Sequence, residues 1–305
     1  IGTLGIIDDD QVDLSNLQRQ VVHATPDVGR PKVESAQARL QAINPEVRVE
    51  LHPLRLTPAN ALSIISAYDI VADGSDNFAT RYLVADACHL AGRTLVSAAM
   101  MRFEGQISVY RSHLGHGPDG TSNPCWRCLY PEQPEGNLKN SCADVGVLAM
   151  LPGVLGTLQA TEVVKEILGL GRSLAGRLLL YEGLEARLSE LRVKADPACP
   201  LCGEEPKIRT LEPDRYGLSG TVCAAEKRGG GGDRGGLSHL LRQKRGSLTL
   251  WIRCALLYRR PSPARLFAPN CVSWNEGAER SRPGWEALSP TRSARRDLQT
   301  SRDPV

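Results

Sequence analysis

Two pairs of cysteines share the spacing C-x-x-C: Cys125 with Cys128, and Cys199 with Cys202. Four thiolates suit a closed, tetrahedral structural zinc site. In a chain without a recognisable secretion signal, paired cysteines are more often metal ligands than disulfides. The two pairs are 70 residues apart, so a helix and several strands must bring them together. A redox-active C-x-x-C is the alternative, but two pairs of this kind favour zinc.

Acidic residues that could hold a nucleotide follow two apolar, strand-like runs. Asp8 ends the first run, at a position where an acidic residue commonly binds a ribose hydroxyl. A solvated turn formed by Asp8, Asp9 and Asp10 is the alternative. The run Asp73–Asn77 follows a second strand, so we expect Asp76 at the edge where open α/β sheets bind ligands, with a carboxylate suited to Mg²⁺. For such an Asp-Asn pair, an N-cap of the following helix is the simpler interpretation.

Cationic and amide side chains lie between these two runs. The segment Ser15–Gln20 contains Asn16 and Arg19, and Lys32 stands just after Pro31 in the first turn of a helix, where backbone N–H groups add anion affinity. Such groups can hold a triphosphate and neutralise charge that develops at its α-phosphorus. Each of these signals is weak when it is taken separately.

Strand and helix patterns alternate over the first two-thirds of the chain, which predicts an α/β fold with a Rossmann-like, doubly wound mixed sheet. We expect antiparallel strands at the later end of this sheet. The predicted helices are 32–43, 61–67, 77–90 and 156–168, and the predicted strands are 3–8, 47–51, 69–72, 94–98, 105–111, 177–181 and 188–193. The longest apolar stretch, 145–164, contains Pro, Gly and Gln, which indicates a buried loop and helix and not a membrane span. We expect a cytoplasmic protein without a membrane partner.

The composition changes after about residue 206. Residues 207–305 contain 19 Lys and Arg against 9 Asp and Glu, whereas the whole chain has a net charge of +3. Gly229–Gly232, scattered Pro and Ser, and many arginines leave only a short helical pattern at Leu237–Gln243. This predicts a basic tail of low order, or a sequence that is not native. A nucleic-acid-binding arm is the alternative, but no aromatic residues are interleaved to support it.

Taken together, the motifs resemble the adenylation domain of the MoeB/ThiF/HesA and ubiquitin-activating enzyme family. The resemblance covers about residues 1–206 in order. The matching segments are Asp8, Ser15–Arg19, Gly29–Lys32, Asn44–Pro45, Asp73–Asn77, Arg81–Tyr82, Arg102–Gln106, Pro124–Pro131, Cys142–Leu148, Gly156–Glu162 and Cys199–Gly203. It implies that a Gly-rich ATP loop and a basic residue contributed across a dimer interface would precede Ile1.

The resemblance also assigns roles to individual residues. It implies ATP and Mg²⁺ as cofactors, bound by the set Asp8, Ser15, Asn16, Leu17, Gln18, Arg19, Lys32, Asp76 and Asn77. Asp8 would bind ribose, Asn16, Arg19 and Lys32 the phosphates, and Asp76 the magnesium ion. Zn²⁺ would be held by Cys125, Cys128, Cys199 and Cys202. Cys142 matches a cysteine implicated in sulfur transfer or covalent linkage, although an ordinary partly buried cysteine is the simpler interpretation.

The implied reaction is adenylation of the C-terminal carboxylate of a ubiquitin-like sulfur-carrier protein that ends in Gly-Gly. Arg19, Lys32, Asp76 and Cys142 are the predicted catalytic residues, and a sulfurtransferase is a possible further partner. A homodimer is expected, with an interface around Leu148–Leu158. Two other classes are a catalytically inactive relative that binds the carrier, and a nicotinamide-dependent oxidoreductase. In the latter, the residues Ser15–Arg19 and the two cysteine pairs would have no purpose.

Overall fold

The computed structural model describes residues 2–116, 123–134 and 146–217, and the backbone of residues 255–259. Its strands are β1 Thr3–Ile7, β2 Arg48–His52, β3 Ile70–Asp73, β4 Thr94–Met101, β5 Glu104–Tyr110, β6 Arg177–Glu182, β7 Arg187–Arg192 and β8 Ala255–Arg259. Its helices are α1 Lys32–Ile43, α2 Pro58–Ser66, α3 Phe78–Leu90, α4 Trp126–Leu129 and α5 Leu151–Leu168. Short 3₁₀ turns occur at Leu14–Asn16, Thr25–Asp27, Ser112–Leu114 and Pro213–Tyr216.

The described strands form one mixed sheet in the order β2-β1-β8-β3-β4-β5-β6-β7. Strands β1 and β2 are parallel, as are β3 and β4, whereas β4 to β7 follow one another in antiparallel pairs. Parallel pairs need crossover helices, while antiparallel neighbours can be joined by short turns. The sheet therefore confirms the predicted Rossmann-like fold with antiparallel strands at its later end.

Helices cover both faces of the sheet. In β1, Ile6 packs toward α1, while the next residue, Ile7, packs into the cluster formed with α2 and α3. In β3, Ile70 joins the cluster under α5, and Val71 faces α3. This alternation follows from the two-residue period of a strand, and it buries the sheet on both sides. The carboxyl ends of β1 and β3 consequently meet at one edge, between two layers of helices.

The structure corrects the expectation of low order immediately after residue 206. Tyr216, in the turn Pro213–Tyr216, is 1% exposed and packs in the same core cluster as α3. Residues 255–259 also pair with the sheet, as an antiparallel strand between β1 and β3. Ala255 lies opposite Ile7, so it is the start of β8 that reaches the edge where β1 and β3 end. The predicted helix Leu237–Gln243 lies outside the described residues.

Helix α5 begins five residues earlier than its sequence pattern predicted. It starts at Leu151 and includes Pro152 and Gly153, both of which are buried. Proline is compatible with the first turn of a helix because the N–H group that it lacks would have no partner there. No helix in the described ranges is both long and apolar enough to cross a membrane.

Candidate functional site

Two neighbouring cavities open at the edge where β1 and β3 end. The larger has a volume of about 250 Å³ and extends from the acidic run after β1, past Leu54–Leu56, to the first turns of α3. The smaller, of about 40 Å³, lies between Arg19, Arg81 and Met100. Ser75 and Asp76 line both cavities. The structure thus places Asp76 where an anionic region and a cationic region meet.

The acidic run after β1 is held together by a buried lysine. The Lys32 Nζ atom lies 2.6 Å from Asp10 Oδ2 and 3.8 Å from Asp8 Oδ2, and the Lys32 side chain is 1% exposed. The Asp8 Oδ1 atom also accepts a hydrogen bond from the backbone N–H of Asp10 at 2.8 Å. Burial of an ammonium group is costly unless it is paired. Lys32 therefore offsets part of the negative charge of this run from behind, and Asp8, Asp9 and Asp10 line the larger cavity.

The segment Ser15–Gln20 presents its arginine to the smaller cavity. Arg19 donates from Nη2 to Asn16 Oδ1 at 2.8 Å and from Nη1 to the Ser15 carbonyl at 3.3 Å, so the guanidinium is held in place by its own segment. Asn16 is buried, Leu17 is half-buried and Gln18 is exposed. Neither Leu17 nor Gln18 lines either of the two cavities. Of this segment, Arg19 and the buried Gln20 are the residues that reach the smaller cavity.

The turn Asp73–Asn77 is fixed from several directions. Arg81 donates from Nε and Nη2 to the Ser75 carbonyl at 2.9 and 2.8 Å, and Gln159 of α5 donates to the carbonyls of Asp73 and Val96 at 2.9 Å. Asn77 is the N-cap of α3, where its side chain accepts from the backbone N–H of Thr80 at 2.8 Å. The capping interpretation of Asn77 is thus confirmed. Asp76 remains the carboxylate of this turn that lines both cavities.

Two buried titratable groups border this edge. Burial raises the pKa of Asp73, although Arg81 and the backbone N–H of Ser75 partly oppose that shift. Burial, aided by the nearby Lys32, lowers the pKa of His23 to about 4, and the His23 Nδ1 atom lies 2.8 Å from Ser35 Oγ. The His23 ring is therefore neutral near pH 7, which adds no further positive charge beside Lys32.

The two cysteine pairs form one cluster. The Cys125 Sγ atom lies 3.8 Å from that of Cys128 and 3.4 Å from that of Cys199, and the Cys128 and Cys202 Sγ atoms are 3.4 Å apart. A tetrahedral site with Zn–S distances of ~2.3 Å would separate its sulfurs by ~3.8 Å, so the spacing fits zinc with little adjustment.

The surroundings of the cluster also suit a structural metal site. The backbone N–H of Asp196 points to Cys128 Sγ at 3.4 Å, as is common around metal thiolates. The buried side chains of Leu201 and Ile208 shield the cluster. The chain makes a tight turn at Gly203, where a Cβ atom would lie 2.6 Å from the Cys199 carbonyl oxygen.

Sequence reasoning missed some residues of this region. Arg81 was noted only as part of a motif, although its position four residues after the N-cap Asn77 places it on the cavity side of α3. Arg55 lines the larger cavity, and no charge or motif signal singled it out. Cys142 lies outside the described residues, so its predicted role stays a prediction.

The family model described as the ThiF family matches residues 1–201. The chain belongs to the ThiF family. The segment matched by the ThiF model includes both cavities and most of the cysteine cluster, and it ends at Leu201, one residue before Cys202. The resemblance inferred from the sequence motifs is thereby confirmed.

Several curated ThiF-type relatives are similar over about two-thirds of the chain. A sulfur carrier protein adenylyltransferase of Thermus thermophilus is 51% identical over 211 residues, which is 69% of this chain and 77% of that protein. The SAMP-activating enzyme E1 of Haloferax volcanii is 45% identical over 67% of this chain and 72% of its own length. The adenylyltransferase and sulfurtransferase MOCS3 of Bos taurus is 48% identical over 70% of this chain, but only 45% of MOCS3 is covered. The chain thus spans about half the length of MOCS3.

Solved structures support the ThiF-type fold. E. coli MccB, crystallised with MccA-N7isoASN, aligns with a TM-score of 0.56 over 67% of this chain and 61% of MccB, at 22% identity. The crystal structure of E. coli MccB with ATP aligns with a TM-score of 0.54, also at 22% identity. At this level of identity, the similarity establishes the fold.

Proposed function

We propose that this chain adenylates the C-terminal carboxylate of a ubiquitin-like sulfur-carrier protein that ends in Gly-Gly. The observation that carries the proposal is the position of Asp76 between an acidic cavity with room for a nucleoside and a cavity lined by Arg19 and Arg81. The first cavity suits ATP, and the second suits an anionic peptide terminus. The 51% identity to a sulfur carrier protein adenylyltransferase supports the same substrate class.

In the proposed reaction, an oxygen of the carrier carboxylate attacks the α-phosphorus of ATP. A new phosphorus–oxygen bond forms, the bond between the α-phosphorus and its bridging oxygen breaks, and pyrophosphate leaves with that electron pair. A carboxylate is already a nucleophile, so the chain does not need to remove a proton. Catalysis then depends on positioning the two anions and on neutralising the charge that develops between them.

The site residues would have different roles in this reaction. Asp8 would hold the ribose, while Arg19 and Lys32 would neutralise phosphate charge, with Asn16 orienting Arg19 through the hydrogen bond already present. Asp76 offers the hard carboxylate oxygens that suit Mg²⁺, which when bound would neutralise charge on the phosphates. Arg81 would keep the turn that bears Asp76 in shape through its two bonds to the Ser75 carbonyl.

Further parts of the proposal concern zinc and partners. The four clustered cysteines would hold Zn²⁺ as a structural ion, because all four positions of a tetrahedron are filled by thiolates. We also propose a homodimer, a cytoplasmic location and transfer of sulfur by a separate sulfurtransferase. Within the expected interface, Leu148–Leu158, the side chains of Met150 and Val154 are exposed. Sedimentation that shows only monomer at micromolar concentration would contradict the dimer.

Carrier-dependent exchange of radiolabelled pyrophosphate into ATP tests the adenylation step. We expect exchange with the carrier present, none without it, and a loss of roughly 10²–10³-fold in Asp76→Ala. Asp214→Asn is the matched control, since Asp214 is an exposed carboxylate in the turn Pro213–Tyr216. Carrier binding without exchange, in protein shown to be folded, would instead support the alternative of an inactive carrier-binding relative.

A further inference from the structure

A carboxylate buried on α3 accepts hydrogen bonds from two distant parts of the chain. Asp86 is fully buried. Its two oxygens accept from Arg127 Nε at 2.7 Å and from Arg127 Nη2 at 2.8 Å, and Oδ2 also accepts from the Tyr216 hydroxyl at 2.8 Å. Arg127 and Tyr216 are themselves 5% and 1% exposed. The three side chains thus form a buried network in which each charge has its partner.

The two donors of this network, Arg127 and Tyr216, lie in chain segments next to different cysteine pairs. Arg127 lies between Cys125 and Cys128, in the short helix α4. Tyr216 follows the other pair, Cys199 and Cys202, and the connecting chain packs Ile208 against the cluster. The Asp86 carboxylate therefore accepts two hydrogen bonds from the segment of the first pair and one from the chain that follows the second pair.

The network also fixes the chain that leaves the first cysteine pair. Arg127 donates from Nη1 to the Pro131 carbonyl at 2.9 Å, and its guanidinium lies 4.8 Å from the centre of the Tyr82 ring. The Tyr82 hydroxyl in turn donates to the Glu132 carbonyl at 2.6 Å. Since Tyr82 belongs to α3, residues 131–132 are held to the same helix that begins at the nucleotide edge.

We propose that Asp86 is a positioning residue that fastens both cysteine pairs to α3, so that zinc binding and the docking of residues 126–132 and 213–216 stabilise each other. The proposal rests on the zinc site proposed above, but it does not depend on the adenylation reaction. Zinc can hold the two pairs together only when both segments lie in place. Asp86 holds both segments in place through its hydrogen bonds to Arg127 and Tyr216. Because coupled binding equilibria are reciprocal, a bound zinc ion in turn stabilises these hydrogen bonds.

The test measures zinc affinity of the full chain by competition with a chromophoric chelator, with zinc alone as the probe. We expect Asp86→Asn to weaken zinc binding roughly tenfold to a hundredfold, the range found for residues that support metal ligands from outside. Tyr216→Phe removes a single hydroxyl at constant ring volume, and we expect a smaller loss. In Asp86→Asn, the further change Tyr216→Phe should add little, because the hydroxyl has already lost its charged partner.

Tyr68→Phe is the matched control. Tyr68 is also 1% exposed and donates to a carboxylate, Glu50 Oε2, at 2.8 Å, but it lies at strands β1 and β2, away from the cysteines. It should lower stability as Tyr216→Phe does and leave zinc affinity unchanged. A purely structural role for Tyr216 predicts the same zinc affinity in both variants.

Hydrogen exchange supplies a second readout. Removing zinc from the parent should speed exchange of the amides in 126–132 and 213–216, while Asp86→Asn should show this fast exchange with zinc present. Zinc affinity equal to the parent in folded Asp86→Asn, or in Tyr216→Phe if Asp86→Asn does not fold, overturns the proposal. A parent chain that binds no zinc overturns the zinc site and this proposal with it, whereas the pyrophosphate exchange assay would still decide the adenylation reaction.

Discussion

The cysteine cluster and the polar edge of the sheet are assembled in different ways. At the cluster, local spacing brings each pair together, the sulfur atoms of the two pairs approach to 3.4 Å, and the side chains of Leu201 and Ile208 that pack against them are buried. At the edge, Asp8, Arg19 and Asp76 come from separate segments that meet because β1 and β3 end at the same edge of the sheet, on either side of the start of β8. The first region is closed and packed, and the second consists of cavities whose polar groups face open space.

Because of this difference, we expect substitutions in the two regions to affect different measurable properties of the protein. A substitution at the cluster removes packing and a metal ligand environment, so its effect should appear in folding and in zinc content. A substitution at the edge removes a charged group that lines the proposed substrate site, so its effect should appear mainly in the exchange rate. Functional sites built on rigid elements commonly show this division.

The largest effect is expected for Arg19→Ala at the edge. Loss of this guanidinium removes a positive charge beside the proposed phosphate position, so pyrophosphate exchange should fall roughly 10²-fold. The melting temperature should fall little, because Arg19 is half-buried and its hydrogen bonds to Ser15 and Asn16 lie within one short segment. Arg39→Ala, at an exposed position of α1, is the control. A large fall in the melting temperature of Arg19→Ala would contradict the proposal that substitutions at the edge act mainly on exchange.

An intermediate effect is expected for Gly203→Ala at the cluster. The added Cβ would meet the backbone carbonyls of Pro197 and Cys199, which cannot yield as a flexible side chain would. We expect a loss of about 1–3 kcal/mol in the free energy of unfolding, together with weaker zinc binding.

Urea unfolding and metal analysis measure these two quantities for Gly203→Ala. Gly169→Ala is the control, since Gly169, the C-cap of α5, has φ 65° with no atom within 4 Å of the added Cβ, so its substitution strains the backbone outside the segments that carry the cysteines. Unchanged zinc binding in Gly203→Ala would show that this turn is not needed to hold the ligands.

The smallest effect is expected at Asn77, which caps helix α3 and also lines the larger cavity. Its side chain caps α3, so Asn77→Ala should cost about 1 kcal/mol of stability, and Asn77→Ser, which can still cap, should cost only a few tenths of that. We expect Asn77→Ser to retain exchange within about twofold. Full stability with strongly reduced exchange in Asn77→Ser would instead assign Asn77 a direct contact with nucleotide or magnesium.

Local pattern was sufficient for the parts of the fold that depend on a single segment. Helix α1 has the bounds Lys32–Ile43 that its periodicity and the following Pro45 indicated. The predicted start of helix α5 lay too far along the chain, because Pro152 and Gly153 were interpreted as helix-breaking residues. Proline in the first turn of a helix has little effect on its stability.

Parts that depend on distant contacts could not be predicted in this way. Strand β8 pairs with β1 and β3 across about 180 residues or more, and no periodic pattern in a basic, glycine-containing region marks such a partner. The hydrogen bond between Tyr216 and Asp86 could not be predicted for the same reason, since neither residue lies in a recognisable motif. Of the candidate site, the motifs supplied most of the charged residues, while Arg55 and the packing role of Arg127 required the folded chain.

The ring of Trp126 gives the cysteine cluster an optical property. It is 3% exposed, and it lies edge-on to Tyr82 and Tyr110, with ring centres 6.1 and 5.8 Å away, and tilted against Tyr130 at 4.7 Å. Among the described residues it is the one tryptophan of the four in the sequence. Three phenols close enough to transfer excitation, and a sulfur atom on the adjacent residue Cys125 that can quench it, make this indole an intrinsic fluorophore whose emission should respond to the state of the cysteines beside it.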